Sequence, residues 1–201
     1  MKKLLLTGFE PFLNYSLNPT EEIARALDGE TINNYTIVAK VLPVDYNKSG
    51  DQLVSLIEEV RPDSVLSLGL AAGRYKVTPE RIAINCNESK EEDNEGNQPE
   101  GDLIDAEGAD GLFSSLPIRT FVEVLNEKGY PAKISNTAGT YLCNHVMYRG
   151  LNHFKKKNME IPSGFIHMPA SHELAVQHGN LPSWSQEDLT SAVREMIRSL
   201  P

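Results

Sequence analysis

The chain has 201 residues, with 19 Lys and Arg against 28 Asp and Glu and a formal net charge of −9. This length can bury roughly 70% of the unfolded surface in one core, so a single domain over residues 1–201 is expected, with no metal or disulfide staple required. The acidic balance argues against nucleic acid as a partner, no apolar run approaches a membrane span, and Leu4-Leu5-Leu6 is interrupted at Thr7-Gly8-Phe9-Glu10 before signal-peptide length. With only Cys86 and Cys143 present, the expected setting is the cytoplasm, with reduced thiols.

Lys3 to Thr7 is a short apolar strand ending at Gly8. The helix that follows runs from Pro19 to Leu27, with Asn18 as its cap, Pro19 at its first position and Glu21 and Glu22 at the positive end of its dipole. Tyr35 to Leu42 reads as a strand, and Leu53, Leu56, Ile57 and Val60 form a helical stripe that Arg61-Pro62 terminates. Ser64 to Leu68, bounded by Pro62 and Gly69, suits a central strand buried on both faces.

Arg81 to Asn85 is a further strand candidate. Between Glu88 and Asp110 stand ten acidic residues and one Lys, so this segment alone carries −9. With Gly96, Pro99, Gly101 and Gly108 and little apolar periodicity, it reads as a long solvated loop. Loops of this length in compact domains often serve as lids or binding loops. A helix is expected near Ile118 to Lys128, Ala132 to Ser135 feeds the next helix, Phe165-Ile166-His167 is a last strand, and Ser185 caps a closing helix bearing Leu189, Val193, Met196 and Leu200. This alternation predicts a single-domain α/β/α sandwich with a largely parallel open sheet. Ligands in such folds bind beyond the carboxyl ends of the strands.

Cys143 lies between a Gly-containing turn and an apolar rhythm of Val146, Met147, Gly150, Leu151 and Phe154, which puts it at a helix start. The orphan N–H groups and the dipole there favour an anion, the form in which cysteine is a nucleophile. A small buried hydrophobe is the plain alternative. Of the histidines, His145 and His153 read as packing or surface residues and His172 and His178 as loop residues. His167 ends an apolar strand, where it serves either as a base or as a satisfied core histidine. Glu80, in the loop after the central strand, is either an orienting acid or half of a surface pair with Arg81.

The chain also resembles the type I pyroglutamyl peptidases, or pyrrolidone-carboxylate peptidases. The resemblance runs through Thr7-Gly8-Phe9-Glu10-Pro11-Phe12, Asn18-Pro19-Thr20, Gly73-Arg74 with Pro79-Glu80-Arg81-Ile82-Ala83-Ile84-Asn85, Asp93 to Pro99, Ser135 to Asn144, and Gly164 to Pro169. It implies a cysteine exopeptidase that removes N-terminal pyroglutamate (5-oxoproline) from peptides, with no cofactor and no metal. By motif, Cys143 corresponds to the nucleophile, His167 to its base and Glu80 to the group that orients the imidazole. The same resemblance implies an apolar lactam pocket of Phe9, Phe12, Tyr141 and Leu142, with Asn18 and the backbone near Leu70 at the lactam's polar edge, and a homotetramer as the assembly.

The departures lie in the acidic segment. The family's arginine near the catalytic cysteine is matched by Lys90, expected here as an auxiliary cation, and its pocket isoleucine by Glu91. A Lys lacks the planar fork of Arg, and a Glu is costly in an apolar pocket. The alternative reading is therefore a module that binds pyroglutamyl peptides or 5-oxoproline on the same fold with weakened turnover. A nucleoside phosphorylase or related hydrolase rests on fold analogy alone and lacks a basic phosphate site.

Overall fold

The computed structural model describes residues 1–201. The strands are β1 (Lys2–Phe9), β2 (Thr31–Ile32), β3 (Tyr35–Leu42), β4 (Ser64–Leu70), β5 (Thr78–Pro79), β6 (Ile82–Ile84), β7 (Asn87–Glu88), β8 (Glu100–Asp102), β9 (Gly111–Phe113), β10 (Ser163–Met168), β11 (Ala170–Ser171) and β12 (Ser183–Trp184). The helices are α1 (Pro19–Leu27), α2 (Ser49–Val60), α3 (Ile118–Glu127), α4 (Leu142–Lys156), α5 (His172–His178) and α6 (Gln186–Arg198). The central sheet has the order β2-β3-β1-β4-β10-β5. Its inner pairs are parallel, and only the short outer strands β2 and β5 run antiparallel.

Alternation along the inner strands divides the core into two layers. Leu4, Leu6, Leu66, Leu68, Ile166 and Met168 join Ile23 and Leu27 of α1, Phe121 of α3 and Val193 and Met196 of α6. Leu5, Val65 and Phe165 face the opposite way, against Leu53 and Ile57 of α2 and Val146 and Met147 of α4. Because both faces are covered, β4 is buried along its whole length. This is the arrangement that its unbroken apolar run predicts.

Several ends follow from single residues. Asn18 Oδ1 accepts from the Thr20 N–H at 3.1 Å and caps α1. Arg61, held left-handed at φ 50°, stops α2 ahead of Pro62. Ser185 accepts from the Asp188 N–H at 3.0 Å and caps α6. No helix is long and apolar enough to cross a membrane.

One expected strand takes a sheet of its own, and two expectations need correction. Ile82–Ile84 is a strand, but it pairs antiparallel with Gly111–Phe113 outside the central sheet. His172 and His178 are the two ends of α5, whose start Ser171 caps through the Leu174 N–H. The acidic segment is not simply solvated. Asp93 is buried in it, and its carboxylate accepts from the backbone N–H groups of Tyr46, Glu95 and Asn97 and from the Asn97 amide. Asn94 adds a hydrogen bond to the Pro11 carbonyl at 3.0 Å. These bonds clamp the segment over the ends of β1 and β3, and composition gives no sign of them because one buried carboxylate does the anchoring.

His145 lies on the buried side of α4. Its ring meets Tyr46 edge-on at 5.8 Å, Nδ1 lies 3.1 Å from Asn87 Oδ1, and Nε2 has no partner. Burial, reinforced by Arg149 and opposed by Asp51, lowers its pKa to about 4. The folded protein therefore holds a neutral imidazole that the unfolded chain would protonate near pH 6.5. Its stabilising contribution is present above that pH and is lost as the pH falls toward 4. Urea unfolding at pH 7 and at pH 4.5 should show His145→Leu losing less stability on acidification than the parent, by up to about 3 kcal/mol. An equal loss in both proteins would mean that His145 has no part in acid unfolding.

Candidate active site

The order of the sheet creates the opening. β1 leads through α1 to β3 on one side, and β3 leads through α2 to β4 on the other, so the chain reverses direction between β1 and β4. Crevices in open α/β sheets form at such a reversal. The β1–β4 ladder ends at Thr7 and Ser67, where the Thr7 hydroxyl donates to Ser67 Oγ at 2.9 Å, although both strands continue beyond that rung. β1 keeps its pairing with β3 out to Phe9 and Leu42, and β4 keeps its pairing with β10 out to Leu70. The two strands therefore diverge. Gly8 lets the start of α1 close against β1 at this point, because a Cβ there would lie 2.2 Å from the Thr20 carbonyl oxygen.

A narrow slot occupies the gap, lined by Phe9, Phe12, Asn18, Val44, Leu70, Tyr141, Leu142 and Cys143. Seven of these eight residues are expected at one site from the sequence, and the cavity brings them together. Val44 is the addition. It stands two residues beyond the end of β3, on the ligand edge, and its position after a strand's carboxyl end is the signal that could have marked it. Asn18 is 1% exposed, and its amide also donates to the Glu10 carbonyl at 3.1 Å.

Cys143 is the second residue of α4. Tyr141, at the cap position, makes no side-chain hydrogen bond to the helix, and the first backbone bond of this turn runs from the His145 N–H to the Tyr141 carbonyl. The N–H groups of Leu142, Cys143 and Asn144 thus precede the intrahelical ladder, which leaves donors at the cavity wall. The thiol comes close to the sheet because Gly69 has no side chain. A Cβ there would meet Cys143 Sγ at 2.9 Å and the Phe165 ring at 2.6 Å.

Gly69 is also in register with His167 on β10. The imidazole is 5% exposed, and its Nδ1–H donates to Glu80 Oε1 at 2.7 Å. Glu80 reaches it because β5 adds antiparallel to the end of β10, with Thr78 opposite His167 and the Glu80 N–H bonded to the Phe165 carbonyl at 2.9 Å. Glu80 has no solvent exposure, and its ion-pair partner besides His167 is Arg74 at 2.6 Å rather than Arg81. Arg81 instead donates to Asn136 Oδ1.

Burial by itself lowers the His167 pKa, but interaction with Cys143 and then with Glu80 outweighs it and raises the value to about 9. Burial likewise pushes the Glu80 carboxyl up, and interaction with His167, then with the Ser135 hydroxyl and with Arg74, brings it below the ordinary carboxylate range. A charged imidazole next to a cysteine favours the thiolate. With Nδ1 committed to Glu80, Nε2 is the ring nitrogen left for the sulfur.

Lys90 is not part of this cavity. It is exposed, its carbonyl accepts from the Gln98 amide at 2.8 Å, and with Leu13, Glu91 and Glu92 it lines a separate outer depression. The segment touches the site through Tyr141, whose hydroxyl donates to the Glu92 carbonyl at 3.2 Å. Burial, with Asp93, Cys143 and Glu91 adding to it, pushes that hydroxyl up to about 12, so Tyr141 is a neutral donor. Arg74 belongs to one of the motifs that carry the resemblance, but no role is expected for it, since nothing local shows that its guanidinium crosses six residues to Glu80.

Residues 2–200 match the pyroglutamyl peptidase family. A pyrrolidone-carboxylate peptidase of Oceanobacillus iheyensis is 54% identical over 200 residues, covering all of both chains. One from Halalkalibacterium halodurans is 51% identical over 98% of each. Among solved structures, pyrrolidone carboxyl peptidase from Thermococcus litoralis is 37% identical and superimposes with a TM-score of 0.95 over 98% of this chain and 92% of that one. A mutant of the Pyrococcus furiosus enzyme reaches 0.95 at 41% identity over 98% and 97%. With a cysteine-lined slot at the reversal of its sheet and a match along nearly its whole length, this chain belongs to the pyroglutamyl peptidase family.

Proposed function

We propose that the protein hydrolyses the bond after an N-terminal pyroglutamyl residue, with Cys143 as nucleophile, His167 as acid and base, and Glu80 as the group that orients and charges the imidazole. The observation that carries this reading is the 2.7 Å bond between His167 and a Glu80 carboxylate that water does not reach, set beside a cysteine at the wall of an apolar slot.

The lactam ring lies flat between Phe9, Phe12, Tyr141 and Leu142. Asn18 Oδ1 is occupied by Thr20, and one amide hydrogen goes to the Glu10 carbonyl. The second amide hydrogen is free for the lactam carbonyl. The backbone near Leu70, where β4 has left β1, supplies the other polar contact. Cys143 Sγ then bonds to the scissile carbonyl carbon while its oxygen takes up negative charge facing the N–H groups at the start of α4. The C–N bond breaks as His167 gives its proton to the departing amine, leaving a pyroglutamyl thioester on Cys143. Water, deprotonated by His167, attacks that carbonyl and releases 5-oxoproline, which restores the sulfur and the charged imidazole.

The resemblance carries a homotetramer with it. In support, Phe113 and Met159 are 68% and 45% exposed and line one surface groove, which is apolar area suited to self-association.

With a chromogenic pyroglutamyl amide, Cys143→Ser should lower kcat/KM by at least about a thousandfold while leaving the melting temperature nearly unchanged. His167→Ala should be almost as severe. Glu80→Gln should cost less, because the imidazole keeps a partner but loses its counter-charge. Cys86→Ser should remain active. Activity above a few per cent in Cys143→Ser would reject the mechanism and leave the binding-module reading or a different nucleophile.

Selectivity gives an independent check. Prolyl amides leave the lactam's polar partners unpaired, and glutamyl amides carry an ammonium and a carboxylate into an apolar slot, so both should be cleaved at least about a thousandfold more slowly than the pyroglutamyl amide. Comparable rates on the prolyl amide would instead indicate a general aminopeptidase.

A further inference from the structure

Glu80 presents a physical problem that His167 alone does not solve. Its side chain has no exposure, yet the proposed mechanism needs it ionised through a cycle in which the imidazole gains and loses its proton. Whenever His167 is neutral, a carboxylate held only by that ring would be a nearly unpaired buried charge, and such groups take up a proton instead. Besides the neutral Ser135 hydroxyl, the groups that face Glu80 are His167 from β10, Arg74 from the turn after β4 and, through the ring, Cys143 from α4. Arg74 is the only permanent charge among them.

The Arg74 geometry is specific. Nη1 donates to Glu80 Oε1 and to Thr78 Oγ1, both at 2.6 Å, and Nη2 donates to the Thr137 carbonyl at 3.4 Å. One guanidinium therefore joins the orienting carboxylate, the strand that carries it and the turn that leads into the cysteine helix. Its side chain is 32% exposed, so it reaches from solvent to a carboxylate that solvent does not touch.

We propose that Arg74 is a positioning residue of this site, which keeps Glu80 ionised and aimed at His167 through every protonation state of the imidazole. It acts through Glu80 and touches neither substrate nor sulfur. The substitution Arg74→Lys keeps a charge but loses the planar fork that serves Oε1, Thr78 and Thr137 together. This role rests on the triad reading, so its test needs a measurement that does not depend on turnover.

The experiment compares Arg74→Met and Arg74→Lys with the parent in a Cys86→Ser background, following both pyroglutamyl amide hydrolysis and the rate of Cys143 alkylation by iodoacetamide from pH 5 to pH 9. Removing the permanent charge makes Glu80 easier to protonate; once it is neutral the imidazolium loses its counter-charge, its proton passes to the thiolate, and the reactive sulfur is lost at a higher pH on descent. In Arg74→Met the acidic limb of both profiles should move up by about one pH unit. At pH 6 kcat should fall by several-fold, up to about tenfold, with KM within about twofold. Arg74→Lys should recover part of the shift, and added guanidinium ion at tens of millimolar should partly restore Arg74→Met. An unmoved or lowered acidic limb of alkylation, or a loss confined to KM, would overturn the proposal. If the parent alkylates at Cys143 with a normal profile but does not cleave the amide, the triad reading fails and the Arg74 role is still decided by the alkylation profiles.

Discussion

The structure turns on a carboxylate without water, Glu80, bonded to an imidazole with almost none, His167. Neither group would remain charged in such a place by itself, since taking an ion out of water costs several kcal/mol unless it is paired. What makes the pair tenable is the sheet edge. β5 joins β10 for only two residues, enough to fix Glu80 beside His167, and the Glu80 backbone is tied down on both sides by the Phe165 carbonyl and by a bridge to Ser135. Ser135 opens the turn that ends in Cys143. One short strand thus sets Glu80, its bond to His167 and the approach to Cys143.

The apolar slot depends on a separate feature, the divergence of β1 and β4 after the Thr7–Ser67 rung. Beyond that rung each strand keeps only its outer neighbour, and the space between them is lined from both sides by strand ends and from above by the start of α4. Two glycines hold the geometry. Gly8 admits the start of α1 against β1, and Gly69 admits the sulfur and the Phe165 ring against β4. Cys143 thus sits where a slot made by sheet topology meets a charged pair made by edge pairing.

Much of this is legible in the sequence. The apolar runs of β1, β3, β4 and β10 and the caps Asn18 and Ser185 are local signals, and they place the helices and inner strands within a few residues. Cys143 at a helix start and His167 at a strand end also follow from local pattern, but the choice between catalytic and packing roles does not. That choice depends on the Glu80 side chain reaching His167, a contact 87 residues apart in the chain and set by antiparallel pairing of a two-residue strand. Strands this short carry no periodicity. The same limit explains why pattern does not assign Ile82–Ile84 to its own small sheet, why no pattern marks the reach of Arg74 to Glu80, and why the acidic segment reads as solvent-facing although Asp93 anchors it. Lys90 shows a different limit. The resemblance matches it to an arginine by position along the chain, and the fold leaves it exposed outside the slot.

The most direct test of the account is to find the acyl group. Mixing the protein with a pyroglutamyl amide, quenching in acid within the first turnovers and mapping the digest by mass spectrometry should show one pyroglutamyl group on the peptide that carries Cys143. That group should disappear as the substrate is exhausted and be absent from Cys143→Ser. Steady turnover with Cys143 unmodified at every time point, and the same turnover after Cys143 has been alkylated, would contradict the account.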